Sequence, residues 1–136
     1  MESFEFVYRE QVRFRDLDAM GHVNNAVFLT YLEQARFHFL EHVGLARVEQ
    51  EPPLILARVE IDFRAPAGFG DEVAIGVRAG RVGTRSFELE FELRAGERLV
   101  AEARSVQVGY DYARMETREL EPSWREALAR TAVEAV

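Results

Sequence analysis

The segment from Arg13 to Arg36 reads RFRDLDAMGHVNNAVFLTYLEQAR. Two carboxylates, Asp16 and Asp18, precede a turn containing Gly21, and a helical period begins at Asn24–Asn25. That order sets carboxylates beside the free N–H groups of a helix N-terminus, where the dipole favours negative charge. A carboxylate there can serve as nucleophile or as general base toward water. The N–H groups can hold a developing oxyanion. Carboxylate and donor around one carbonyl carbon are the parts that acyl transfer needs. A plainer reading stands beside this one: Asp ahead of a helix commonly caps it or closes a turn. The residue types by themselves leave both readings open.

The elements that must position these groups are legible from periodicity. Residues 4–15 alternate roughly, with Phe4, Phe6 and Tyr8, then Val12 and Phe14 after a phase slip. They predict a strand bulged near Glu10. Phe28, Tyr31, Leu32, Ala35 and Phe39 fall on one face of a helix, which Asn24 caps and Gly44 stops. The expected helix runs from Asn25 to Val43. A loop with Pro52 and Pro53 follows, then strands over Leu54–Arg64, Glu72–Arg81, Ser86–Arg94 and Arg98–Tyr112. The last three are joined by short turns and so are expected as antiparallel neighbours. Pro122 opens a short helix over Ser123–Ala132. One apolar sheet face and one apolar helix stripe predict a two-layer α+β unit, about five antiparallel strands wrapped around one long helix. Uncovered sheet edges make self-association expected.

The chain has 136 residues, the size of one domain, and no repeat or linker interrupts it, so 1–136 is read as a single domain. No run approaches the roughly 20 apolar residues that a membrane span needs. The first ten residues lack the basic and apolar regions of a signal peptide, which makes the cytoplasm the expected compartment. The absence of cysteine excludes disulfides, thiolate metal sites and a Cys nucleophile. A net charge of −7 argues against nucleic acid as a partner, although all 17 basic residues are arginine and a local cluster can still hold a phosphorylated ligand.

The string DLDAMGHVNN, followed by a helix carrying YLEQAR, resembles the 4-hydroxybenzoyl-CoA thioesterase family of hotdog proteins. The similarity extends to FRAPAGFGDE at Phe63–Glu72 and to RELEPSWREAL at Arg118–Leu128. The resemblance implies a hotdog fold, hydrolysis of an acyl-CoA thioester without a metal or redox cofactor, and a homodimer or homotetramer. It implies that Asp18 is the catalytic carboxylate, acting as nucleophile or as base for water. It also implies that Asn25 presents a backbone N–H to the thioester oxygen. His22 matches the His of the His-Val-Asn-Asn string in fatty-acyl thioesterases of this fold. Where those enzymes use an Asn two residues after the Asp, this chain has Met20, which favours the Asp-centred scheme. Coenzyme A carries phosphates, and among Arg64, Arg81, Arg85 and Arg104 the hairpin residue Arg85 is the candidate contact. The rival activities are acyl-carrier-protein hydrolysis, a hydratase or dehydratase on acyl thioesters, and a non-catalytic acyl-CoA-binding module.

Other residues have plainer expectations. Asp16 is read as structural, holding the turn or pairing with an Arg. Glu33 and Arg36 are read as an ion pair on the long helix or as a subunit contact. His38 and His42 are four apart but lack a third ligand pattern, so they are expected at a surface or interface. The stripe Phe28, Tyr31, Leu32, Phe39 is read as core, and Gly68–Phe69–Gly70 as a turn. No G-x-S-x-G is present to support a serine nucleophile.

Overall fold

The computed structural model describes residues 1, 3–46 and 53–131. In chain order the elements are strand β1 (Phe6–Gln11), helix α1 (Asn25–His42), strands β2 (Leu54–Phe63), β3 (Glu72–Val82), β4 (Ser86–Ala95), β5 (Arg98–Asp111) and β6 (Glu116–Thr117), and helix α2 (Pro122–Ala129). All strand pairs are antiparallel, in the order β1-β3-β4-β5-β2, with β6 paired to the end of β5. This is the expected α+β hotdog architecture.

Period two decides which strand residues face inward. Val73, Ile75 and Val77 of β3 stand opposite Ala95, Leu93 and Phe91 of β4, and all six are buried. Phe28, Tyr31, Leu32, Ala35, Phe39 and Leu40 of α1 are buried in the same core. Each large side chain enclosed this way stabilises the fold by roughly 1.5–3 kcal/mol relative to exposure. Two polar residues of β5 also lie on the inner face. Gln107 donates to the Phe87 carbonyl at 3.2 Å and accepts from the Ser105 hydroxyl, so neither is left unbonded.

α1 begins and ends where the sequence signals say. The Asn24 side chain accepts from the Ala26 N–H at 2.9 Å. At the other end Gly44 takes φ +86°, and the Leu45 N–H turns back to the Leu40 carbonyl at 2.7 Å.

The expectation for the first strand is corrected in two ways. β1 stops at Gln11, and Phe14–Asp16 form one 3-10 turn. The Asp16 carboxylate causes this by accepting from the Arg13 N–H at 2.9 Å, which curls the backbone away from the sheet. Nor is β1 bulged: its register with β3 is continuous from Phe6↔Val77 to Gln11↔Glu72. Glu10 simply faces inward opposite Val73, with one oxygen 2.9 Å from the Arg13 guanidinium. The two-residue β6 was not expected. α2 starts at Pro122 as expected, and the Pro52 loop residue and the expected end at Ala132 lie outside the described residues.

Candidate active site

The candidate site is built on the loop between β1 and α1. Leu17 and Val23 form an isolated antiparallel bridge, so residues 17–23 are a miniature hairpin. Within it the Asp18 N–H donates to the His22 carbonyl at 2.7 Å, and Gly21 supplies the left-handed φ of +79° that the reversal needs. The hairpin is clamped to the loop after β2 by His22↔Gly68 pairing and by the Val23 N–H on the Ala67 carbonyl at 2.8 Å.

Asp16 anchors the base of this hairpin. It is 6% exposed, and one carboxylate oxygen accepts from the Tyr31 hydroxyl at 2.6 Å as well as from the Arg13 N–H. Burial pushes its carboxyl upward, but the Tyr31 and Arg13 hydrogen bonds, with the charges of Arg13 and Arg15, outweigh that and hold it below the ordinary value. Burial, then the bond to Asp16, push the Tyr31 phenol well up in turn. Asp16 therefore holds the turn, as expected, but through a tyrosine and a backbone N–H rather than through an arginine side chain.

Asp18 has the opposite surroundings. It is exposed, and its Oδ1 accepts from the N–H groups of Met20 at 2.9 Å and His22 at 3.2 Å. Its Oδ2 accepts no hydrogen bond among the described residues. A cavity of about 280 Å³ brings Asp18, His22 and Asn25 together, the three residues singled out in the sequence. At the start of α1, Asn24 serves Ala26 through its side chain and Val27 through its carbonyl. The Asn25 N–H is left without an acceptor among the described residues. The residue with one fixed and one open carboxylate oxygen and the residue with the open N–H thus line the same space.

The remaining walls of the cavity come from Val23, from Phe28 and from Phe63–Pro66. Phe28 was read as core, and it is both 2% exposed and part of this wall. Phe63 packs against it with ring centroids 5.7 Å apart. Sequence reasoning missed Phe63–Pro66 as site residues. The available signal was a strand ending in an Arg-Ala-Pro break, which required knowing that this strand end meets the Asp18 hairpin. Arg64 borders the cavity while donating to Glu102 through Nε at 3.2 Å and Nη2 at 3.1 Å.

Arg85 is not brought to this cavity within one chain. It lies in the β3–β4 turn, where its carbonyl accepts from the Gly109 N–H, at the opposite end of the sheet from Phe63. The expected Glu33–Arg36 ion pair does not form: Arg36 has no ion-pair partner within 4.0 Å among the described residues. Burial lowers its guanidinium pKa, partly offset by the charge of Glu33. His38 stacks on Tyr8 of β1 with ring centroids 4.7 Å apart, and His42 meets Phe6 of β1 at a tilt with centroids 5.1 Å apart.

The family model of the thioesterase-like superfamily matches residues 12–128. A 1,4-dihydroxy-2-naphthoyl-CoA hydrolase of Prochlorococcus marinus is 31% identical over 106 residues, covering 70% of each chain. A second protein of that description, from Nostoc punctiforme, is 29% identical over 85% of this chain and 80% of its own length. Among solved structures, a thioesterase from Thermus thermophilus, complexed with coenzyme A and Zn, superposes over 100% of both chains with a TM-score of 0.88 and 35% identity. A family match across the hairpin, the long helix and strands β2 to β6 means that this chain belongs to the thioesterase-like superfamily.

Proposed function

We propose that this chain is an acyl-CoA thioesterase, hydrolysing an acyl or aroyl thioester to the free acid and coenzyme A. The observation that carries the reading is the cavity lined by Asp18, His22 and Asn25, of which Asp18 has an open carboxylate oxygen and Asn25 an open helix N-terminal N–H. The coenzyme A held by the Thermus thermophilus relative supports the substrate class.

In the proposed reaction the thioester carbonyl oxygen turns toward the Asn25 N–H, where the positive end of α1 stabilises the negative charge it gains. Asp18 Oδ2 then acts on the carbonyl carbon directly, or takes a proton from the water that does. The C–S bond breaks and the thiolate leaves to be protonated. In the direct case the acyl group is then held on Asp18 as an anhydride, which water hydrolyses to the acid and the regenerated carboxylate; in the other case the water adds the acid oxygen itself. The two backbone donors on Oδ1 fix the carboxylate plane, so that Oδ2 is presented without side-chain rearrangement. His22 lines the same space and is the second polar group available to the leaving thiol or to water. The Phe28–Phe63 wall suits a flat or apolar acyl group, in keeping with the naphthoyl substrate named for the Prochlorococcus relative.

The proposed working unit is a homodimer or homotetramer. β2 is the terminal strand of the sheet order and exposes Ile55, Leu56 and Phe63. Two β2 edges paired antiparallel would carry the Arg85 hairpin of one copy to the end of the joined sheet that holds the other copy's Asp18. There Arg85 is the proposed coenzyme A phosphate contact.

The test is free-thiol release across a panel of aliphatic and aromatic acyl-CoAs, with Asp18→Ala in parallel. Removal of the carboxylate is expected to lower kcat by about 10²–10⁴-fold with the fold intact by circular dichroism. Undiminished turnover in Asp18→Ala would sink the mechanism. Acyl-CoA binding without turnover in the wild type would favour a binding module instead.

A further inference from the structure

We propose that Tyr31 is a positioning residue of this site, acting through Asp16; the inference rests on the Asp18 reading above. Tyr31 is 1% exposed and sits on the core stripe of α1, where the ring alone would satisfy a packing role. Its hydroxyl does more. It lies 2.6 Å from Asp16 Oδ2, the same oxygen that accepts from the Arg13 N–H. The Asp16 carbonyl accepts from the N–H of Asn24, the N-cap of α1, at 2.9 Å. Asp16 is therefore tied to α1 at two places: by its side chain to Tyr31, and by its backbone to the helix start.

Asp18 follows two residues later, inside the hairpin closed by the Leu17↔Val23 bridge. The helix that supplies the Asn25 N–H and the hairpin that carries the Asp18 carboxylate thus share one strut, the Tyr31–Asp16 hydrogen bond. Two points of attachment fix the tilt of the hairpin on the helix; with one, only the clamp to the loop after β2 resists rocking. Rocking changes the distance between Asp18 Oδ2 and the Asn25 N–H, the two groups that must meet one carbonyl. A misplacement of about 1 Å is enough to cost on the order of 10²-fold in rate.

The experiment compares full-length wild type, Tyr31→Phe, Asp16→Asn, the double variant and Asp18→Ala on the best acyl-CoA of the panel, well below each protein's melting temperature. Tyr31→Phe keeps the ring and removes only the strut. Its kcat is expected to fall by about 10-fold or more while KM stays within about twofold, because geometry rather than ground-state binding is lost. Asp16→Asn keeps an acceptor for the hydroxyl and should retain more kcat than Tyr31→Phe. The double variant should be no slower than Tyr31→Phe alone, since both changes act on the same bond. A Tyr31→Phe protein with wild-type kcat and only a lower melting temperature would overturn the proposal, provided that Asp18→Ala is inactive. An active Asp18→Ala, or a wild type that turns over no acyl-CoA, would overturn the Asp18 reading and this inference with it.

Discussion

Asp16 and Asp18 are the same residue type two positions apart, and their surroundings separate their roles. One is buried with both donors on a single oxygen; the other borders a cavity with one oxygen open. The lowered carboxyl pKa of Asp16 has a consequence for stability. A group whose folded value lies below its unfolded value contributes fully above the ordinary Asp range near pH ~4 and loses the contribution as pH falls through the folded value. Urea unfolding from about pH 6 down to about pH 2 should therefore show wild-type stability falling across the acid range. The slope should be shallower in Asp16→Asn. Equal slopes would mean that Asp16 is not held ionised by Tyr31 and Arg13. Tyr31 has the mirror-image behaviour: its raised phenol value places its stabilising effect below the ordinary 10.0 and removes it as pH rises beyond.

At the scale of elements, the start of α1 carries both stability and chemistry. Asn24 satisfies the Ala26 N–H with its side chain and the Val27 N–H with its carbonyl, which leaves Asn25 as the open donor. Replacing Asn24 by Ala removes one cap hydrogen bond and should cost about 1 kcal/mol in urea unfolding. Since its backbone contact with Asp16 survives the change, kcat should fall less than in Tyr31→Phe. A stability change below about 0.3 kcal/mol would mean that water caps the helix as well as Asn24 does. β1 shows how an element can mislead when read alone. The inward-facing Glu10 interrupts an otherwise apolar face, and its charge is matched by the Arg13 guanidinium rather than expelled.

At the scale of the molecule, apolar side chains are exposed along the β2 edge and near the hairpin, with Phe14, Met20 and Phe69 each more than two-thirds exposed. Phe14 and Phe69 meet edge-on at 6.2 Å. A second copy joined through β2 would cover part of this surface and remove an unpaired edge. Light scattering is expected to give at least twice the chain mass across the micromolar range, and a strict monomer at high concentration would rule the dimer out. No helix among the described residues is long and apolar enough to cross a membrane.

The local grammar of the sequence determined most of the fold. The α1 stripe, the Asn24 cap, the Gly44 stop and the clean alternation of β4 are properties of neighbouring residues, and they appear where periodicity places them. The Asp18–Asn25 segment was legible for the same reason, because carboxylate, turn and helix start are contiguous. Tertiary structure decided what depends on residues far apart in the chain. It seated Glu10 on the inner face, ended β1 at the Asp16 hydrogen bond, and joined Tyr31 to Asp16 across fifteen positions. It brought Phe63–Pro66 to the Asp18 hairpin and set Arg85 at the far end of the sheet. Periodicity reports which face a residue occupies. The partner it meets there is set by how separate elements pack, and that carries no signature in the spacing of either one.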